Sequence, residues 1–175
     1  MISRAFLLAL ALGVLGASGV VAADDPVKAL ALVKPNPAQV AKEFRVATLD
    51  RREIALSEFR GKVVFLNFWA TWCKPCEEEM PGLERLYQKY RDKGLVVLAI
   101  AEDTDGRLVA PFVEKRRLTF PVGLDSKMSV ATQYGVWAIP STFIIDRRGN
   151  RTLFANGIRE WDGPPAHALI QSLLK

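Results

Sequence analysis

The sequence has two cysteines, one histidine and no dense run of basic residues in its 175 positions. Two cysteines are too few for the multiple bridges of a small disulfide-stapled domain. His167 is the only histidine, so a zinc site built on the cysteines lacks ligands, and we expect no metal centre and no cofactor. The formal charge of +5 is spread along the chain, which argues against nucleic acid as a partner.

Proline and glycine are also sparse, at 10 and 12 residues, which excludes collagen-like and disordered chains. Half of the residues are hydrophobic and 25% are charged, the balance of a globular protein. A chain of this length can bury most of its apolar surface as a single domain. After residue 23 no apolar run is long enough to span a membrane. The sequence therefore predicts one folded domain.

The first 23 residues are typical of a secretory signal. Residues 1–4 contain one basic side chain, residues 5–15 are almost entirely apolar, and small residues lead to a cleavage site at 21–23. An uncleaved anchor is the alternative, because residues 5–23 carry no charge. In either case we expect the rest of the chain in the periplasm or another extracytoplasmic compartment, soluble or anchored by its N-terminal segment.

The remainder divides into a linker and a domain. Residues 24–42 contain three prolines and no sustained hydrophobic period, which predicts a linker. From residue 43 to 175, predicted strands and helices alternate, and this order is typical of parallel strands with crossover helices. The predicted strands cover residues 44–49, 53–56, 62–69, 95–101, 120–124, 142–145 and 152–155, and the helices cover 73–93, 107–116, 127–134 and 166–174.

The two cysteines enclose only Lys74 and Pro75, where the central predicted strand meets the first long helix. A loop this short stabilises a fold little, so chemistry explains the pair better than a structural bridge. The N-terminus of a helix favours a thiolate. We therefore predict that Cys73 is the nucleophile, aided by the cation of Lys74, and that Cys76 resolves the mixed disulfide.

At this point the chain resembles a known family. The motifs are VFLNFWATWCKPC at residues 64–76, Tyr134-Gly135-Val136, and IPSTFIID at residues 139–146. They are similar to those of the thioredoxin superfamily, and most of all to its exported TlpA/ResA-like thiol-disulfide oxidoreductases. The resemblance implies an α/β thioredoxin fold, with a central mixed β-sheet flanked by helices and an N-terminal β-hairpin extension.

The resemblance also implies a substrate site beside the cysteines. It places Pro140 in a cis peptide bond opposite the CxxC motif, leaves the backbone of Ile139 available to a substrate strand, and puts Trp72 in the same site. One position departs from cytoplasmic thioredoxins: Asn67 stands where they have a buried aspartate. The resemblance then makes Glu102 the nearest candidate for the proton shuttle, while a carboxylate that caps the following helix is the alternative.

Three functions remain open. The leading one is an exported reductase that a membrane thiol-disulfide donor keeps reduced and that delivers electrons to oxidised substrate proteins, with apocytochrome c maturation as one role. A dithiol oxidant of exported proteins and a Cu(I) metallochaperone are the alternatives. A peroxidase is disfavoured, because such relatives have a threonine three residues before the reactive cysteine, whereas Thr71 stands two before Cys73. We expect a monomer.

Overall fold

The structure is a computed structural model that describes residues 25–37 and 39–175. The predicted signal peptide, residues 1–23, lies outside the described residues. The strands are β1 (Gln39–Val40), β2 (Arg45–Thr48), β3 (Glu53–Ala55), β4 (Val63–Trp69), β5 (Leu95–Ala101), β6 (Val122–Leu124), β7 (Ser141–Ile145) and β8 (Asn150–Asn156). The helices are α1 (Pro26–Ala29), α2 (Lys74–Tyr90), α3 (Val109–Arg116), α4 (Ser129–Tyr134) and α5 (Pro164–Leu173). Within these ranges, no helix combines the length and apolar character needed to cross a bilayer.

All eight strands form one mixed sheet in the order β1-β8-β7-β4-β5-β6-β2-β3. The pairs β4–β5 and β5–β6 are parallel, and the other neighbouring pairs are antiparallel. The predicted fold class is therefore confirmed: a thioredoxin fold, α/β, in which the N-terminal hairpin β2–β3 extends the sheet beyond β6. Both edge strands are short, with two residues in β1 and three in β3.

The segment predicted as a linker, residues 24–42, carries regular structure where it is described. Asp25 caps the single turn of α1, and its side chain accepts a hydrogen bond from the Val27 N–H. Val33 forms an isolated bridge with Phe154, and β1 pairs with β8. Short polar and proline-rich segments lack the hydrophobic periodicity that indicates a strand in a sequence. Here the pairing depends on β8, which lies more than 100 residues further along the chain.

Alternation along β4 gives the sheet its two covered faces. Val63, Phe65 and Trp69 pack in one cluster with α2 and α5, whereas Val64, Leu66 and Phe68 pack in the other with α4 and the hairpin. All seven residues of β4 are buried, and each large side chain contributes roughly 1.5–3 kcal/mol by leaving water. Asn67 has the parity of the α2 face, so its amide lies beneath that helix.

Gly123 in β6 marks the closest approach between the hairpin and the sheet. A Cβ atom at this position would lie 2.5 Å from Val46 Cγ2 and 3.0 Å from Ile100 Cδ1. We expect Gly123→Ala to lower the free energy of unfolding by about 2 kcal/mol, because overpacking a buried site costs this much. Urea denaturation measures the effect. Adding Val46→Ala removes the obstructing methyl group, so the double variant should lose less than the sum of the single losses; strictly additive losses would contradict the steric explanation.

Candidate active site

The two cysteines lie at the carboxyl edge of β4, where the strand gives way to α2. They form a disulfide with a Cα–Cα distance of 5.3 Å. Cys73 is the N-cap residue of α2, and its Sγ accepts a hydrogen bond from the Cys76 N–H at 3.3 Å. Cys76 is completely buried, while 6% of Cys73 is exposed. Both cysteines are thus buried, and only Cys73 has surface that an incoming sulfur could approach.

The helix and its charged neighbours set the electrostatics at Cys73. The unpaired N–H groups of the first turn favour a thiolate at the cap. Lys74 adds a cation as predicted, but its Nζ lies 3.6 Å from Glu77 Oε2, and Glu77 also pairs with Arg116. Lys74, Arg116 and the helix terminus therefore surround Cys73 with positive charge that one carboxylate, Glu77, offsets in part.

Glu79 is a buried acid on the same helix, three residues after Cys76. Residues three apart share a helix face, and Glu79 is only 3% exposed. Its Oε1 accepts a hydrogen bond from Asn67 Nδ2 at 2.8 Å, and its Oε2 accepts one from Trp161 Nε1 at 3.1 Å. Burial raises the pKa of Glu79 to about 7, against the lowering effect of these hydrogen bonds.

Sequence reasoning missed Glu79. The substitution of asparagine at position 67 removes a carboxylate from β4, but the amide of Asn67 now holds one that α2 supplies. Thr142 of β7 completes the contact by accepting a second hydrogen bond from Asn67 Nδ2 at 3.0 Å. One signal was available in the sequence: Glu79 is spaced three residues from Cys76 and four from Leu83, on the apolar stripe of the helix.

The raised pKa of Glu79 predicts a pH-dependent contribution to stability. The native protein holds the proton more tightly than the unfolded chain, so this contribution is complete below pH 4.5 and is lost as pH rises through about 7. The loss is roughly 3 kcal/mol for a shift of this size. We expect Glu79→Gln, which cannot titrate, to gain about that much relative to the wild type between pH 4 and pH 8.5.

Chemical denaturation of the oxidised protein at several pH values measures this difference. Glu78→Gln is the matched control, because Glu78 is the preceding residue and its side chain is exposed. The control should follow the wild type at every pH. A constant difference between Glu79→Gln and the wild type would show that Glu79 titrates as it does in the unfolded chain.

Glu102 follows β5 and lies at the same edge of the sheet. It is 3% exposed, and neither carboxylate oxygen has a hydrogen-bond partner among the described residues. Burial, together with the negative charges of Asp125 and Asp103, raises the pKa of Glu102 to about 8. The helix cap that was the alternative role belongs instead to Asp105, whose side chain accepts a hydrogen bond from the Arg107 N–H.

The two acidic neighbours of Glu102 have structural partners. Asp103 accepts hydrogen bonds from the backbone N–H and the hydroxyl of Thr71, and so ties the end of β5 to the loop before Cys73. Asp125 accepts hydrogen bonds from the N–H groups of Ser129 and Val130 at the start of α4. Glu102 is therefore the one member of this trio that the described residues leave without a donor.

The proline segment lies beside the cysteines, as the sheet register requires. Ser141 pairs with Phe68, so Pro140 comes opposite the end of β4. The Ile139–Pro140 peptide bond is cis, as expected. Pro140 is buried, Ile139 is half-buried, and Trp72 is exposed. The structure thus brings all six predicted site residues, Glu102 included, to one edge of the sheet.

Sheet topology and the disulfide at the start of α2 define the class: a thioredoxin-fold protein with a CxxC pair at the carboxyl edge of its central strand. Residues 37–150 match the model of the AhpC/TSA family, and the chain belongs to that family. The resemblance seen in the motifs is confirmed.

The curated relatives carry the same motif-bearing region. The thiol-disulfide oxidoreductase ResA of Bacillus thuringiensis subsp. konkukian is 45% identical over 109 residues, which are 62% of this chain and 63% of that one. ResA of Geobacillus thermodenitrificans has the same identity and coverage. The chain thus spans less than two thirds of the length of these relatives.

The solved structures cover more of the fold. A Chlorobium tepidum protein, described as a candidate thiol:disulfide interchange protein DsbE, is 31% identical, with a TM-score of 0.74 over 79% of this chain and 97% of that one. StoA from Bacillus subtilis is 24% identical, with a TM-score of 0.62 over 75% and 96%. The second similarity is evidence for the fold alone.

Proposed function

We propose that the protein is a thiol-disulfide oxidoreductase that exchanges disulfides through Cys73 and Cys76. The observation that carries this proposal is the disulfide itself, in which Cys73 caps the helix N-terminus and is the less buried partner, while Cys76 lies fully buried one turn later. A thiolate at that cap is both stabilised and accessible. Similarity to proteins named thiol-disulfide oxidoreductase ResA supports the same activity.

In the reducing direction the reaction has two steps. The Cys73 thiolate attacks one sulfur of the substrate disulfide, which forms a mixed disulfide and releases the first substrate sulfur as a thiolate. Cys76 then loses its proton and attacks the Cys73 sulfur, which releases the second substrate thiolate. The protein is left with the Cys73–Cys76 disulfide, and the substrate has gained two electrons and, from water, two protons.

The proton of Cys76 needs an acceptor in the interior. Glu79 lies on the same helix face as Cys76 and has a pKa of about 7, which suits transfer near neutral pH. We assign it this role in preference to Glu102. The raised pKa of Glu102 also suits proton transfer, but Glu102 follows β5 and does not share a helix with Cys76. Glu79 is thus the candidate base for the second step, and Trp72, Ile139 and Pro140 form the candidate substrate surface.

The finer parts of the proposal concern location, direction and substrate. The apolar N-terminal segment supports export. As the motif resemblance implies, the proposed protein is a reductase that a membrane thiol-disulfide donor recharges and that acts on exported proteins, apocytochrome c among them.

The first experiment measures insulin disulfide reduction and the equilibrium potential of the cysteine pair in purified protein. We expect catalysis of insulin reduction and a potential near that of reductases, about −270 mV for thioredoxin. A potential near that of the oxidant DsbA, about −120 mV, would reverse the direction. Absence of insulin reduction by the reduced protein would overturn the activity.

A further inference from the structure

Two tryptophans face solvent, one beside the cysteine motif in the chain and one near the cis-proline. Trp72 immediately precedes Cys73 and is 70% exposed, and Trp137 lies three residues before Pro140 and is 78% exposed. They line a groove of about 410 Å³ together with Met128, Val136 and Ile139. Indole side chains this exposed are typical of surfaces that bind a partner. Trp72 directly precedes Cys73 and Ile139 directly precedes Pro140, so a substrate chain that reaches Cys73 passes close to this groove.

The groove has one acidic residue in its described lining, and the carboxylate of that residue is buried. This residue is Glu102, and neither of its oxygens has a partner among the described residues. A buried polar group without a partner is costly, so a ligand that brings a hydrogen-bond donor gains from satisfying it. Asp103 and Asp125 add negative potential at this point, and no salt bridge among the described residues includes any of the three.

An occupant of this groove must therefore have an apolar body and a positively charged end. Lysine and arginine have both: their methylene stems can lie along indole rings, while a cation over the ring face gains further attraction. Their N–H groups are donors suited to a carboxylate. A neutral apolar side chain would satisfy the walls but leave Glu102 unpaired, and an acidic one would be repelled.

On the premise of the proposed disulfide exchange, we propose that this groove is a specificity subsite for a lysine or arginine near the substrate cysteine. Trp72 and Trp137 hold the stem, and Glu102 receives the cationic end. The preferred substrates are therefore extended segments in which a basic residue lies within a few positions of the oxidised cysteine.

The test uses peptides that cannot react. Serine replaces the cysteine, and lysine, norleucine or glutamate occupies each of two positions on either side of it. Calorimetry at pH 9, above the pKa of Glu102, then measures binding to the oxidised protein. Norleucine keeps the stem of lysine without its charge. At one position we expect lysine to bind about tenfold more tightly than norleucine, and glutamate more weakly than both. Equal affinity for lysine and norleucine at all four positions would overturn the proposal.

Two variants test separately the carboxylate of Glu102 and the tryptophans that line the groove. Glu102→Gln should remove the preference for lysine over norleucine, whereas Trp137→Ala, at an exposed position, should weaken the binding of both peptides. Glu114→Gln is the control, because Glu114 is an exposed acid on α3 and its loss should change nothing. Retention of the lysine preference in Glu102→Gln, with circular dichroism showing a native fold, would also overturn the proposal.

A pH series gives an independent readout. Glu102, which faces Asp103 at the end of β5 and Asp125 before α4, gains charge as pH rises through about 8. The preference for lysine should grow over that range, while norleucine binding stays constant. Insulin reduction is measured separately: its absence alongside a lysine preference would refute disulfide exchange but not the groove, and normal reduction without the preference would refute only the groove.

Discussion

Cys73→Ser should lower the rate of insulin disulfide reduction by at least about a thousandfold, because a serine hydroxyl does not attack a disulfide. Cys73 is the partly exposed sulfur, and no other cysteine is present besides buried Cys76. The measurement is the rate with reduced protein and insulin. The fold should persist, since a loop this short contributes little to stability.

Cys76→Ser is the matched variant for the order of the two steps. It keeps the attacking sulfur but cannot resolve, so it should accumulate a mixed disulfide with substrate through Cys73. Mass spectrometry of the trapped complex identifies the linked cysteine. A complex trapped by Cys73→Ser through Cys76, and none by Cys76→Ser, would reverse the assigned roles.

Glu79→Gln should lower the rate of the second step by about a hundredfold, the usual scale for losing a positioned base. The amide cannot accept the Cys76 proton, so the mixed disulfide should persist longer while its formation keeps its normal rate. The inflection near pH 7 in the rate of the second step should also disappear. Stopped-flow kinetics across pH 5 to 9 resolves the two steps.

Two comparisons keep this result specific to Glu79. Glu78→Gln removes an exposed charge one residue away and should leave both steps and the pH profile as in the wild type. Glu79→Asp shortens the acid by one methylene, which should restore part of the rate and the inflection. An unaltered pH profile in Glu79→Gln would show that the acid is structural.

The fold was largely predictable because its central elements carry strong local signals. Three local patterns each indicate an element within a few residues: the apolar run of β4, the cysteines at the start of α2, and Gly94 after the helical turn that follows α2. Gly94 has a φ of 101°, the left-handed conformation that a glycine after a helix predicts. The roles that the sequence assigns to the site residues remain predictions.

The buried network around Glu79 could not be predicted in the same way. Its partners are Asn67, twelve positions earlier, and Trp161, 82 positions later. The spacing of Glu79 on the apolar stripe of α2 is a weak signal beside the usual solvation of a glutamate on a helix, and it does not identify the partners of the side chain. Such contacts depend on how the last loop folds back over α2, which only the tertiary structure specifies. Glu102 was a candidate because the family resemblance places a glutamate after the next strand, and its role remains a prediction.

The short strands at the two edges of the sheet have a consequence for the proposed exchange of disulfides with extended substrate chains. Exposed, long strand margins invite extended polypeptides to add as further strands, which leads to aggregation. Here the sheet stops at two residues on one side and three on the other, so a bound chain has little backbone to pair with there. An extended substrate segment bound near the disulfide can therefore dissociate without pairing with the sheet as a further strand.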